Sequence, residues 1–144
     1  MDTSELNIDS RGARRVLSAL CHFSGLLPVY GIVFSAAVWA SNRRCDWPVA
    51  FQALQAMIAQ ALFHILLLIP MLGWLLAGML EMIGAPMSSV LHGLNWWFTG
   101  LIFIIAWVAF LFATFQTYES GSFLYPIIGK RLALRCWASA DAKD

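Results

Sequence analysis

Charged residues are absent from three long stretches of this chain. The first runs from residue 16 to 42, the second from 47 to 80 and the third from 82 to 118. Because about 18 or more consecutive apolar residues indicate a helix that crosses a membrane, each stretch is long enough for a span. The pattern therefore predicts an all-α integral membrane protein with at least two transmembrane helices.

The second stretch is too long for a single span. As one helix, residues 49–80 would be about 48 Å long at 1.5 Å per residue, against a hydrocarbon core of ~30 Å. Pro70 and Gly73 are expected to break or bend it. We therefore predict a full span over 49–70 and a separate helix that lies along the outer interface to Ile83.

The third stretch predicts a return across the membrane. Residues 84–86 (Gly-Ala-Pro) favour a turn, and a second full span follows over 92–117. The two spans form a hairpin, so the polar link 42–48 and the C-terminal tail share one side. That side holds six of the nine basic residues, whereas 71–91 holds none. The positive-inside rule places the shared side in the cytoplasm.

The N-terminal segment 13–41 is apolar but interrupted at Pro28-Val29-Tyr30-Gly31. Its 29 residues cannot make two full spans of about 20 residues each. It either crosses once with a kink or dips into the membrane and returns. We favour the re-entrant form, because it keeps Arg11, Arg14 and Arg15 on the cytoplasmic side.

The predicted fold is a compact all-α bundle: two full transmembrane helices, a broken N-terminal segment and an outer interfacial helix. Residues 1–12 form a cytosolic tail, 13–118 a single transmembrane helical domain and 119–144 a cytosolic basic tail. A cleaved signal peptide is disfavoured, because Arg43 and Arg44 directly follow the first apolar segment and resist export.

Composition supports a membrane protein and excludes a nucleic-acid partner. Apolar residues make up 60% of the chain and charged residues 12%, against about 25% charged in typical soluble domains. The net charge of +1 leaves no basic stripe to neutralise phosphates. The odd number and spacing of Cys21, Cys45 and Cys136 favour free thiols over a disulfide framework.

Polar side chains share one half of the first span. On a helical projection this half carries amides and a histidine, while bulky aliphatic side chains fill the other half. Such groups either hydrogen-bond across helices or line a cavity or pathway. We favour helix packing for this face, which comprises Gln52, Gln55, Gln60 and His64.

A seam of small residues on the second span predicts close helix packing. It consists of Thr99, Ala106, Ala109, Ala113 and Thr117.

The sequence contains no residue pattern typical of a cofactor-binding or catalytic site. His22, His64 and His92 lie at unmatched depths for haem, and no metal-ligand spacing occurs. Ser24 lies two residues from His22, so the pair does not share a helical face. We therefore expect no cofactor and no enzymatic activity.

Three short motifs resemble a known family. They are LCHFSGLL (20–27), AFQALQA (50–56) and GSFLYPI (121–127), and they resemble small bacterial membrane proteins of uncharacterised function. These are similar to the Tic-twenty component of the chloroplast inner-envelope translocon and to some magnetosome membrane proteins. The resemblance implies about four helical segments, cytosolic termini and no catalytic residue. Its motif residues are His22, Ser24, Gly25, Phe51, Gln52, Tyr125 and Pro126.

The sequence as a whole predicts an accessory, assembly or scaffold subunit of a bacterial inner membrane, or of an equivalent organellar membrane. Its partners would be the lipid bilayer and other membrane proteins, in a larger complex or a homo-oligomer. The alternative is a conduit for a polypeptide or solute, lined by the polar face of Gln52, Gln55, Gln60 and His64 (the Gln52 face). The absence of a charged residue within a span favours the interaction role.

Overall fold

The computed structural model describes residues 3–27, 29–126 and 129–132, with the backbone alone over 3–9. Within these residues the secondary structure is helical and contains no strand, which confirms the all-α prediction. The expectations for Cys136 and for most of the basic tail lie outside the described residues. The helices are α1 (Thr3–Phe23), a 3-10 turn (Ser24–Leu26), α2 (Tyr30–Asn42), α3 (Trp47–Met82) and α4 (Ser88–Ser120).

The two long apolar helices α3 and α4 could each cross a membrane, as the sequence predicts. The expected break at Pro70 and Gly73 is wrong, since α3 continues for 36 residues with Pro70 inside it. The separate outer interfacial helix is therefore wrong as well. Proline removes only one backbone hydrogen bond, and in apolar surroundings helical continuity satisfies the remaining backbone groups.

The turn after α3 lies where the sequence predicts it. The N–H of Gly84 donates to the carbonyl of Glu81 (3.0 Å), and that of Ala85 donates to the carbonyl of Leu80 (2.9 Å). Gly84 has φ of 69°, a left-handed conformation that glycine adopts without a Cβ penalty. This pair of bonds is a Schellman motif, and it fixes the end of α3.

The chain forms two compact units, one of residues 61–109 and the other of residues 1–60 and 110–144. The 61–109 unit is a helical hairpin. Its helices pack through edge-to-face aromatic pairs, with ring centroids 5.3 Å apart for both Phe63–Phe103 and Trp74–Trp96. Most of its large apolar side chains are exposed, as expected for a surface that faces lipid or other membrane proteins.

In the larger unit, α1 and α2 fold back on each other. Gly31 lies so close to the carbonyl of Ser24 that no Cβ would fit there. At the other end, Arg14 on α1 forms an ion pair of 2.7 Å with Asp46, after the end of α2. The two ends of the 13–41 segment therefore meet, which is the geometry that a re-entrant segment requires.

The core of the larger unit consists mainly of small side chains. Ala50, Ala53 and Ala56 on α3 are fully buried. They recur every third residue, so one face of α3 allows neighbouring helices to approach closely. The buried polar side chains lie beside this alanine face.

Candidate functional site: a buried polar network

His22 is at the centre of a hydrogen-bonded network inside the larger unit. Its Nε2 lies 3.1 Å from Oε1 of Gln52, and its Nδ1 lies 3.3 Å from the hydroxyl of Tyr125. Because an amide oxygen only accepts, Nε2 carries the proton, and Nδ1 accepts from the tyrosine. Gln52 Oε1 also accepts from the backbone N–H of Phe123 at 3.4 Å. One amide oxygen thus ties α1 and α3 to the segment after α4.

Gln55 holds the same segment through its backbone. Its Nε2 donates to the carbonyl of Phe123 (3.1 Å), and its Oε1 accepts from the N–H of Tyr125 (3.3 Å). The side-chain amide therefore pairs with a backbone carbonyl and a backbone N–H that have no hydrogen-bond partner within a helix. Burial raises the pKa of the Tyr125 phenol, so the hydroxyl keeps the proton that it donates to His22.

Gln60 connects α3 to the turn between α1 and α2. Its Nε2 donates to the carbonyl of Cys21 at 3.1 Å and lies 3.4 Å from the hydroxyls of both Ser24 and Ser35. The two serine hydroxyls also donate to the Cys21 carbonyl, at 2.8 and 3.2 Å. These bonds satisfy polar groups at the point where the chain reverses.

The fourth residue of the predicted polar face, His64, belongs to the other unit. His64 is half-buried in the 61–109 unit, with its ring centroid 5.6 Å from that of Phe63. The glutamines at 52, 55 and 60 are each at most 3% exposed and belong to the larger unit. The structure therefore brings together three of the four predicted residues and adds His22.

The predicted small-residue seam on α4 is also divided between the two units. Ala113 and Thr117 are fully buried in the larger unit. Thr99 and Ala106 are half-buried in the 61–109 unit, whereas Ala109 is exposed there. Close packing is thus visible at the C-terminal end of the seam.

The other motif residues have local structural contacts. Gly25 is buried beneath the ring of Phe110, whose nearest atoms lie 2.9 Å from the position that a Cβ would take. Phe51 is half-buried, with its ring centroid 6.2 Å from that of Trp47. Pro126 is exposed.

Sequence reasoning missed three participants in the network: the side chain of Ser35 and the backbone groups of Cys21 and Phe123. Ser35 is the one polar residue between Gly31 and Trp39. A lone hydroxyl in an apolar helix indicates a hydrogen bond to a neighbouring segment, so the sequence could have identified it. Phe123 takes part through its backbone, and nothing in its side chain indicates that role.

The histidine side chains on α1 and α4 already have polar partners. Both ring nitrogens of His22 have hydrogen-bond partners. In the other unit, His92 Nε2 lies 3.5 Å from a carboxylate oxygen of Glu81. No group of three or more His, Cys, Asp or Glu side chains in the described part of the chain is arranged to hold a metal ion. The arrangement is suited to holding chain segments together.

Comparison with known proteins identifies the family. A model of the magnetosome magnetite crystal formation protein family (MamF/MmsF) matches residues 13–132. No curated protein and no solved structure gives a match. The Tic-twenty-like assignment is therefore wrong. It depended on short, mostly apolar motifs, and lipid favours similar apolar composition in unrelated membrane helices. Because this family model matches most of the length of the chain, the chain belongs to the magnetosome magnetite crystal formation family of membrane proteins.

Proposed function

We propose that this protein is an accessory or scaffold subunit that binds other membrane proteins where magnetite forms. The observation that carries the proposal is that Gln52, Gln55 and Gln60 make their hydrogen bonds within the chain. The polar face of α3 is thus occupied by packing. What the 61–109 unit offers to partners is an exposed apolar surface.

Direct contact with mineral is a poorer explanation. Iron ions in mineral precursors prefer oxygen ligands such as carboxylates, yet Glu81 is the only acidic residue between Asp46 and Glu119. The influence on the crystal therefore passes through partner proteins.

The proposed location is the magnetosome membrane, with several passes and both termini on the cytoplasmic side. The Arg14–Asp46 ion pair supports this topology, because it holds the basic residues of α1 beside Arg43 and Arg44. A cysteine at Ser89 is expected to react with an impermeant maleimide from the lumen, and native Cys45 from the cytoplasmic side. The opposite labelling pattern would contradict the topology.

Two observations from the sequence favoured the conduit alternative, and neither favours it now. One was the resemblance to a translocon component, which is wrong. The other was the Gln52 face, whose three glutamines bond to groups of the same chain.

Tryptophan scanning of exposed hairpin positions tests the scaffold role. Each of Leu101, Ile104, Ile105 and Val108 is replaced by Trp in turn, and both co-purification of magnetosome membrane proteins and crystal size are measured. These positions share one helical face. If that face contacts a partner, the larger side chain should lower both properties, and if it faces lipid, the larger side chain should be tolerated. Uniform tolerance at all four positions would contradict a docking surface on this face.

A further inference from the structure

The larger unit contains an apolar groove between α1 and α4. Its volume is about 480 Å³, and its walls and floor are almost entirely apolar. Its lining includes Val16, Ala19, Leu20, Phe23, Phe115 and Tyr118. Ala19 is buried and forms part of the floor, whereas the large side chains along the walls are about half exposed.

A guanidinium group lies at one end of this groove. Arg15 directly precedes Val16, and its Nε lies 3.3 Å from the position that a Cβ of Gly121 would take. Gly121 comes three residues after Tyr118, so the Arg15 side chain reaches across the end of the groove from α1 to α4. Arg15 takes part in neither of the two ion pairs found among the described residues.

The length of the groove indicates what it can hold. From Val16 to Phe23 the α1 wall extends about 10 Å at 1.5 Å per residue, and a transmembrane partner helix needs a face of about 30 Å. At Ser24 the α1 wall gives way to the 3-10 turn, and a second apolar groove, which shares Leu20 and Phe23 with the first, continues beside this turn. One leaflet of the hydrocarbon core is about 15 Å deep. The groove therefore matches an acyl chain from a single leaflet better than it matches a helix.

We propose that this groove binds one anionic phospholipid, with an acyl chain between α1 and α4 and its phosphate beside Arg15. Arginine is suited to this role because its planar donors match phosphate oxygens and its charge is permanent. Gly121 leaves space for the guanidinium at the end of α4. Tyr118 lies at the same end, where aromatic side chains favour the headgroup region.

Native mass spectrometry of the full chain released from detergent tests this proposal, with phosphatidylglycerol and phosphatidylcholine as probes. The wild type should retain one phosphatidylglycerol more strongly than phosphatidylcholine. Arg15→Gln should weaken phosphatidylglycerol binding about tenfold, the equivalent of losing one charge-assisted hydrogen bond. The matched control is Arg44→Gln, an exposed arginine in the 42–48 link, which should leave the affinity unchanged.

Two further variants test the acyl-chain part of the site. Phe115→Ala removes an exposed groove wall and should lower retention of the lipid, whereas Val108→Ala, an exposed α4 position outside the groove, should not. Because both positions are exposed, neither variant is expected to prevent folding, which circular dichroism checks. Equal losses in Arg15→Gln and Arg44→Gln would show general surface attraction and overturn the proposal. Equal retention of the two lipids would also overturn it. So would a Phe115→Ala variant that keeps its lipid but no longer forms a protein dimer, because the groove would then bind a second copy of the chain.

Discussion

Replacing Gln52 by leucine removes the amide oxygen on which the buried network depends. That oxygen accepts from His22 Nε2 and from the N–H of Phe123, so the variant leaves two donors without their acceptor. A buried donor left unsatisfied costs about 1–3 kcal/mol. His22 is fully buried, whereas Phe123 is half-buried and its N–H can turn to water. We therefore expect Gln52→Leu to lower the free energy of unfolding by about 2–4 kcal/mol.

Gln60→Leu is the matched control, since it makes the same chemical change on the same helix. The carbonyl that Gln60 pairs with, that of Cys21, keeps the hydroxyl donors of Ser24 and Ser35 at 2.8 and 3.2 Å. The variant therefore removes a hydrogen bond without leaving its main acceptor unsatisfied. The expected loss is about 1 kcal/mol, in line with interhelical hydrogen bonds in other membrane proteins.

Unfolding of the purified protein in mixed micelles with increasing SDS measures both values, followed by tryptophan fluorescence and circular dichroism. A double-mutant cycle with His22→Phe adds an independent check, because the coupling energy between His22 and Gln52 should exceed about 0.5 kcal/mol if they interact as described. Equal destabilisation by Gln52→Leu and Gln60→Leu, or a loss below about 1 kcal/mol for Gln52→Leu, would refute the assignment of a shared acceptor.

Three further predictions concern packing, charge and metal. Gly25→Ala should destabilise the protein by about 1–3 kcal/mol in the same assay, because its Cβ would meet the ring of Phe110, whereas Gly78→Ala, with nothing nearby, should be neutral or slightly stabilising; equal effects would contradict the close approach. Asp46→Asn should cost about 1 kcal/mol, since the arginine partner is 55% exposed while Asp46 is 14% exposed, and the difference should shrink in high salt; a loss that salt does not change would contradict an ion pair that solvent reaches through the arginine. Purified protein should show no Soret band and no stoichiometric iron or zinc, because hydrogen bonds occupy both nitrogens of His22; a haem band that disappears in His22→Ala would overturn this.

The sequence alone was sufficient for the features that depend on local physics. The uncharged stretches predicted helices that could span a membrane, because lipid requires backbone hydrogen bonds to close within each segment. Gly84 predicted the end of α3, because a left-handed position there favours glycine. The spacing of Gln52, Gln55, Gln60 and His64 placed them on one half of a helix, because helical periodicity can be read directly; their role in packing remains a prediction.

Tertiary structure decided the features that depend on distant residues. Pro70 is a local signal for a break, yet α3 continues through it. The partners of Gln52 lie 30 and 71 residues away along the chain, and no periodicity within α3 identifies them. The meeting of Arg14 and Asp46 likewise depends on how α1 and α2 fold back. Periodicity shows which residues share a face, whereas the partner of each polar group is fixed only when the assembled unit brings distant donors and acceptors together.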